Sequence, residues 1–149
     1  MWQRCSYGQS GANCEAGAAS GPHGFEAIGI ADATFNPGGD VNICGDATTD
    51  GYTDWHLPTA KELHLLIDYS VPRITNGIPS GVPPINVSAF PNTAYYYYWT
   101  STLFLGESIS GIPVNGDHLY IVNFAMHNSS ATLRLMAGGA YVRCVRSQI

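Results

Sequence analysis

The segment 51–63, with the sequence GYTDWHLPTAKEL, constrains the fold more than any other stretch of this chain. Trp55 and Leu57 alternate with polar residues, which is the pattern of a short strand, and a proline ends the extended part. Thr59 is followed three residues later by Glu62, the spacing of a capping box at the start of a helix. The segment therefore specifies a turn, a strand and a helix start, and we interpret it as a folding nucleus rather than a catalytic motif.

Length and charge limit the class of protein. The chain has 149 residues, which is enough for one domain, 1–149, with a real core. Charged residues make up only 11% of it, which favours an extracellular, loop-rich domain over a cytosolic enzyme. The net charge of -5 argues against a general nucleic-acid binder, and no apolar run is long enough to span a membrane. Because Met1 and Trp2 read like the interior of a domain, we expect a piece of a longer protein, and the composition favours one that is secreted or displayed at a cell surface.

The four cysteines are Cys5, Cys14, Cys44 and Cys144. None of them forms the CxxC pair that is typical of zinc sites. An even number of cysteines in a chain of low charge predicts two disulfides formed in an oxidising compartment. Of the three possible pairings we favour Cys5 with Cys14, which closes a small loop, and Cys44 with Cys144. The alternative is that one or more of the cysteines stays reduced and buried.

Hydrophobic patterning predicts an α+β fold. Isoleucines among alanines predict one helix at Phe25–Ala33, and the helix that starts at the capping box should end near Tyr69. The second half of the chain has the alternation and aromatic content of strands, which we predict at Tyr95–Trp99, Leu119–Met126, Thr132–Met136 and Tyr141–Val145. The predicted architecture has two helices in the first half and an antiparallel sheet in the second.

Four pieces of sequence, in order along the chain, resemble one known family. They are MWQRCS at the start, the segment 51–63, YYWTST at 97–102 and AYVRCVR at 140–146. Together they resemble the DUF1566 family, whose members carry a DWRLP-type motif, a YYWSS-type strand and a terminal YVRxVR strand. The resemblance implies a C-type-lectin-like fold. It also implies the properties of the C-terminal domain of a Legionella collagen-like adhesin, a trimeric surface domain that binds sulfated glycosaminoglycans. One departure is His56, where the family usually carries arginine.

Basic and aromatic residues are the candidate contacts to such a ligand. Arginine forks bind sulfate and carboxylate groups well, and aromatic rings can stack on sugar rings. The predicted ligand-binding set is Lys61, Arg73, Tyr96, Tyr98, Arg134, Arg143 and Arg146. The alternative for Arg143 and Arg146 is a structural pairing with carboxylates such as Asp54 or Glu62. By strand alternation we expect Trp99 in the core and at least one of the tyrosines Tyr96 and Tyr98 at the surface.

The predicted function is that of an adhesion module that binds anionic host or matrix polysaccharide as a homotrimer, without binding nucleic acid or inserting into a membrane. The alternative is a variable protein-binding domain of the kind that retroelements diversify, with a recognition face among the exposed residues of 103–139. We predict no enzyme activity, no cofactor and no metal site. The reason is that no calcium-lectin triplet, HExxH spacing or nucleophile elbow occurs, and the cysteines sit where structural bridges would.

Overall fold

The computed structural model describes residues 1–17, 43–75, 78–103, 108–109, 112–113, 118–126, 128–133 and 140–147. These ranges contain one 3-10 turn at Thr49–Gly51 and one α-helix, α1, at Ala60–His64. They also contain seven strands: β1 (Ile74–Thr75), β2 (Ile78–Pro79), β3 (Tyr97–Leu103), β4 (Ser108–Ile109), β5 (Ile112–Pro113), β6 (His118–Asn123) and β7 (Asn128–Leu133). No helix in the part of the chain so described is long and apolar enough to cross a membrane.

The main sheet has three antiparallel strands in the order β3-β6-β7. Tyr98 pairs with Val122 and Trp99 with Ile121, and the register between β3 and β6 shifts before Leu103. Strand β7 follows β6 after a short turn, so these two strands pair along their whole length. The pairs β1-β2 and β4-β5 form separate two-stranded antiparallel ribbons.

Both faces of the β3-β6 pair are buried. Successive side chains of a strand point to opposite faces, so Tyr98 and Trp99 enter different parts of the core. One buried cluster comprises Ile43, Cys44, Trp55, Leu57, Trp99, Leu119, Ile121, Ala140, Val142 and Cys144. The other comprises Leu63, Ile67, Ile85, Tyr98, Val122 and Phe124. The aromatic run of the sequence is thus mainly a core element, as we expected for Trp99.

The segment 140–147 ties the beginning of the chain to its middle. Its backbone bonds to the first residues through Gln3 N, which donates to Cys144 O at 3.0 Å. It bonds to the segment 51–63 through His56 and Val145, whose N–H groups donate to each other's carbonyl oxygens at 2.8 and 3.0 Å. It reaches β3 through Trp99 N, which donates to Tyr141 O at 3.0 Å. The predicted strand Tyr141–Val145 therefore exists as isolated bridges to three partners rather than as a strand of one sheet.

The predicted capping box is present. Thr59 Oγ1 accepts from Glu62 N at 3.2 Å, and the Glu62 carboxylate accepts from Thr59 N at 2.8 Å. Helix α1 nevertheless ends at His64 and is only five residues long. The backbone beyond it turns toward another segment, because Asp68 N donates to Pro84 O at 2.8 Å. The side chain of Leu65, directly after the helix, is 78% exposed.

The predicted fold class is wrong. A C-type-lectin-like α+β domain with two helices in the first half does not describe this chain, because its described first half has one five-residue helix and one 3-10 turn. The helix predicted at Phe25–Ala33 lies outside the described residues. The strands predicted at Tyr95–Trp99 and Leu119–Met126 overlap β3 and β6, whereas β7 begins and ends earlier than the predicted Thr132–Met136. Apolar spacing misjudged the length of α1 because a contact distant in sequence redirects the chain.

Candidate functional site

Two disulfides hold the scaffold on which any binding surface must sit. Cys5 is bonded to Cys14 across 9 residues, and Cys44 is bonded to Cys144 across 100 residues. The favoured pairing is therefore confirmed. The long bridge lies in the first core cluster, where it joins the start of the segment 43–63 to the terminal motif. Two disulfides fit a secreted or extracellular domain.

Arg143 is buried inside the domain and is only 1% exposed. Its Nη1 donates to the carbonyl oxygens of Gln3, at 3.1 Å, and of Arg4. Its Nη2 donates to the hydroxyl oxygens of Ser6, at 3.1 Å, and of Thr93, at 2.8 Å. These partners are neutral oxygens, so the guanidinium acts as a cross-link between the first residues of the chain and the loop before β3.

The surroundings of Arg143 are aromatic. Its guanidinium carbon lies 5.0 Å from the centre of the Phe90 ring and 6.0 Å from the centre of the Tyr98 ring. Burial lowers the pKa of the Arg143 guanidinium below its ordinary value, because a charge loses hydration there. The cation–π contacts offset part of that cost. The expected carboxylate pairing is therefore wrong for Arg143, which is structural but bonds to neutral groups.

Tyr98 is also fully buried. Its hydroxyl accepts a hydrogen bond from Ala94 N at 3.0 Å and shares another with Ser6 Oγ at 2.8 Å. A ligand in solution cannot reach this ring or the guanidinium of Arg143. Neither residue remains in the ligand-binding set that we propose below.

Arg146 is at the surface, but its charge is paired with a carboxylate of the same chain. Its Nε donates to Asp54 Oδ1 at 2.8 Å and its Nη2 to Asp54 Oδ2 at 3.0 Å, which makes a two-pronged pair. The guanidinium also stacks on the ring of Tyr52, 3.6 Å from its centre. Hydrogen bonding to Arg146 lowers the pKa of Asp54 below its ordinary value, and the same bonds raise the pKa of Arg146. The structural alternative is thus confirmed for Arg146 and Asp54.

Arg73 and Lys61 are the predicted cations that remain available. Both side chains are exposed, and neither forms an ion pair with a residue that the structure describes. Arg73 Nη1 makes one long hydrogen bond, of 3.5 Å, to the carbonyl oxygen of Met126. Lys61 lies in the first turn of α1. Their charges can therefore face a ligand without first breaking an ion pair to a described residue.

The turn 124–126 forms hydrogen bonds with Arg73, with the Tyr95 hydroxyl and with the backbone of Tyr96. The hydroxyl of Tyr95 donates to Ala125 O at 3.1 Å, one residue from the carbonyl that Arg73 contacts. Tyr96 O accepts from the first residue of the same turn, Phe124 N, at 3.0 Å. The Tyr96 ring is 37% exposed and Met126 is 49% exposed. Arg73, Tyr96 and Met126 form the surface that we call the turn patch.

The Tyr96 ring has a defined orientation. It packs edge-on against Tyr97, with ring centres 4.9 Å apart, and against Tyr141 at 5.9 Å. At least one of the tyrosines Tyr96 and Tyr98 was expected at the surface, and Tyr96 meets that expectation. A ring held in this way can contact a sugar face at little entropic cost.

Two other sequence predictions lie wholly or partly beyond what the structure describes. Arg134 is outside the described residues, and so is part of the range 103–139 in which the alternative recognition face was predicted. Sequence reasoning missed the stacking role of Tyr52 and the exposure of Met126. Tyr52 lies two residues before Asp54 in the turn that opens the segment 51–63, so one motif supplies both partners of Arg146.

Comparison with known proteins identifies a family. A family model described as "Lcl C-terminal domain" matches residues 1–146, which is nearly the whole chain. This domain is the C-terminal domain of the Legionella collagen-like protein, and the resemblance found from the four motifs is confirmed. A search of curated proteins and a search of solved structures found no match.

Proposed function

The chain belongs to the Lcl C-terminal domain family, and from this premise we propose that it is an extracellular adhesion module that binds anionic polysaccharide as a homotrimer. The proposal rests on one observation: some basic residues make structural contacts, and others are exposed without an ion pair. Arg143 and Arg146 serve the fold, whereas Arg73 and Lys61 are exposed without an ion pair in the described part of the chain. Arg73 additionally lies in the turn patch, where the same turn bonds to the backbone of the exposed residue Tyr96.

The turn patch suits one repeating unit of an acidic glycan. The Arg73 guanidinium can donate two parallel hydrogen bonds to a sulfate or carboxylate group, and Tyr96 offers an edge or face to the adjoining sugar ring. An exposed ion pair of this kind contributes only about 0.2–1 kcal/mol. A single subunit with net charge -5 would therefore hold a polyanion weakly.

Assembly would overcome the weakness of one site. In a symmetric trimer each cation occurs three times, and a long polysaccharide that binds one subunit meets the next at high effective concentration. We propose that exposed apolar side chains contribute to the contact between subunits. Leu65, Tyr69, Val82 and Val87 are between 49% and 78% exposed, and each lies within three residues of the contact between Asp68 and Pro84. Apolar groups gathered on one surface are typical of interaction sites.

The experiment combines native mass with heparin binding at several salt concentrations. We expect a molar mass three times the chain mass of 15.9 kDa by light scattering. We also expect heparin affinity to fall with salt, with a logarithmic slope of roughly -2 if one subunit's two cations are engaged and about -5 if all three subunits contribute. Affinity that is insensitive to salt, or an absence of binding together with a monomeric mass, would refute the proposal.

A further inference from the structure

A cleft of about 600 Å³ lies between the first residues of the chain and the segment 43–50, and its lining shares no residue with the turn patch. Pockets that bind small molecules usually have volumes of about 300–1,000 Å³. Its polar lining includes Gln3, Arg4, Tyr7, Gln9, Asp46 and Asp50. Neither the terminal motif nor the segment 51–63 contributes to that lining, so the proposed function leaves this cleft without a role.

Both walls of the cleft are fixed before any ligand arrives. The disulfide Cys5–Cys14 closes one wall, and the backbone of that wall is held by Tyr7 N, which donates to Val142 O at 2.9 Å. The disulfide Cys44–Cys144 anchors the other wall to the core. Gln3 spans the two walls, because its Nε2 donates to Thr49 Oγ1 at 2.9 Å. A preformed site loses little entropy on binding.

Residues with a left-handed backbone occur in the cleft lining and in the loop that closes one of its walls. Among the described residues, the non-glycine residues with positive φ are Cys14, Asp50 and Asn92, at 55°, 56° and 52°. Asp50 lines the cleft and Cys14 closes its wall. Asn92 braces the same loop: its Nδ2 donates to Asn13 O at 3.0 Å, and its carbonyl accepts from Gln9 Nε2 at 3.0 Å. Such conformations persist where the surrounding structure imposes them, and they cluster at ligand sites.

The charges of the lining disfavour anionic ligands. Arg4 is held by its Nε, which donates to Ala12 O at 2.7 Å, and its Nη groups have no hydrogen-bond partner among the residues that the structure describes. Asp46 and Asp50 bring two exposed carboxylates to the opposite wall. One positive and two negative groups repel a polyanion and leave a neutral molecule unaffected.

A neutral polyhydroxylated ligand matches these groups. A carboxylate accepts hydrogen bonds from neighbouring hydroxyls, a guanidinium donates to ring and hydroxyl oxygens, and the exposed Tyr7 ring offers an apolar face with a polar tip. We infer that the cleft binds an uncharged saccharide, through Asp50, Asp46, Arg4 and Tyr7. This second ligand class is recognised on a different surface from the anionic polysaccharide of the proposed function.

The test uses chitotriose, cellotriose and mannotriose as uncharged probes. Each is titrated into the isotopically labelled domain, and backbone amide shifts are followed by NMR. We expect at least one probe to shift residues 3–11 and 43–50, with a Kd of about 1 mM. Asp50→Asn should weaken that binding about five- to tenfold, because charged acceptors make stronger hydrogen bonds. Asparagine also tolerates positive φ, so the turn should keep its shape.

Matched controls keep the inference falsifiable. Asp68→Asn removes the same charge from an exposed aspartate that does not line the cleft, and it should leave the Kd unchanged. Tyr7→Ala should weaken binding again. The inference is overturned if none of the three probes shifts the cleft, if Asp50→Asn and Asp68→Asn behave alike, or if heparin rather than a neutral sugar shifts the cleft. Loss of heparin binding at the turn patch, with the sugar result intact, would instead refute only the proposed function.

Discussion

Removing the long disulfide should destabilise the domain far more than removing the short one. The comparison uses two double variants, Cys44→Ala with Cys144→Ala and Cys5→Ala with Cys14→Ala. Each variant deletes one cross-link and leaves the other in place. The two bridges differ chiefly in the length of chain that they close, 100 residues in one case and 9 in the other.

Loop length sets the expected magnitudes. A cross-link reduces the entropy of the unfolded chain in proportion to the logarithm of the loop it closes, which gives about 4.7 kcal/mol for the long bridge and about 2.6 kcal/mol for the short one. Burial acts in the same direction. Cys44 and Cys144 are both in the core, where alanine would leave small voids, whereas Cys5 is partly exposed. The long bridge alone should therefore account for a large share of a net stability of about 5–15 kcal/mol.

Urea unfolding at equilibrium, without reductant, measures both variants against the native domain. We expect the free energy of unfolding to fall about 2 kcal/mol further when Cys44–Cys144 is lost, and the urea dependence to steepen because the unfolded chain can expand. Equal losses, or a larger loss for the short bridge, would refute the reasoning from loop length.

Three further predictions concern the scaffold. Thr59→Ala should lower the free energy of unfolding in urea by about 1 kcal/mol, because Glu62 N loses its hydrogen-bond acceptor. A loss near zero would contradict a stabilising role of the capping box. Arg143→Lys should lower the free energy of unfolding by about 2–4 kcal/mol in the same assay, since one ammonium cannot donate to two carbonyls and two hydroxyls at these positions. An unchanged free energy of unfolding would refute the role of Arg143 as a cross-link. Arg146→Gln should raise the lowered pKa of Asp54 in an NMR titration. Because folding lowers the pKa of Asp54, its pair with Arg146 stabilises the native state at pH values above the ordinary pKa of 3.8, and this stabilisation is lost as the pH falls through the folded pKa. An unchanged pKa of Asp54 in the variant would contradict the ion pair.

Most of the correct predictions from the sequence concerned features that depend on residues close together in the chain. The capping box depends on two residues three apart, and both hydrogen bonds exist. The pairing of Cys5 with Cys14 depends on a short loop, and it left Cys44 and Cys144 to each other. Strands with strong aromatic or alternating patterns appeared near their predicted places, because burial on both faces of β3 and β6 reinforces the local preference.

Contacts distant in sequence account for the failures. Helix α1 is shorter than predicted: after His64 the N–H groups of residues 65–67 bond three residues back, and Asp68 N then bonds to Pro84 O, a contact that no helical pattern encodes. Arg143 could not be recognised as buried from its basic character, because the two carbonyls that receive it lie about 140 residues earlier. The residues on either side of Arg143, Val142 and Cys144, are buried too, so side chains on both faces of this segment are inside the domain. The cleft likewise results from two loops that meet only in the folded chain.

The most direct test of the account compares two arginines that carry the same charge. Arg73→Gln and Arg146→Gln each lower the net charge by one, but only Arg73 is exposed without a described carboxylate partner. Heparin affinity, measured at one salt concentration on folded protein of known native mass, should fall at least about threefold for Arg73→Gln and stay unchanged for Arg146→Gln. Equal losses would mean that overall charge drives binding, and a loss confined to Arg146→Gln would contradict the assignment of recognition to the turn patch.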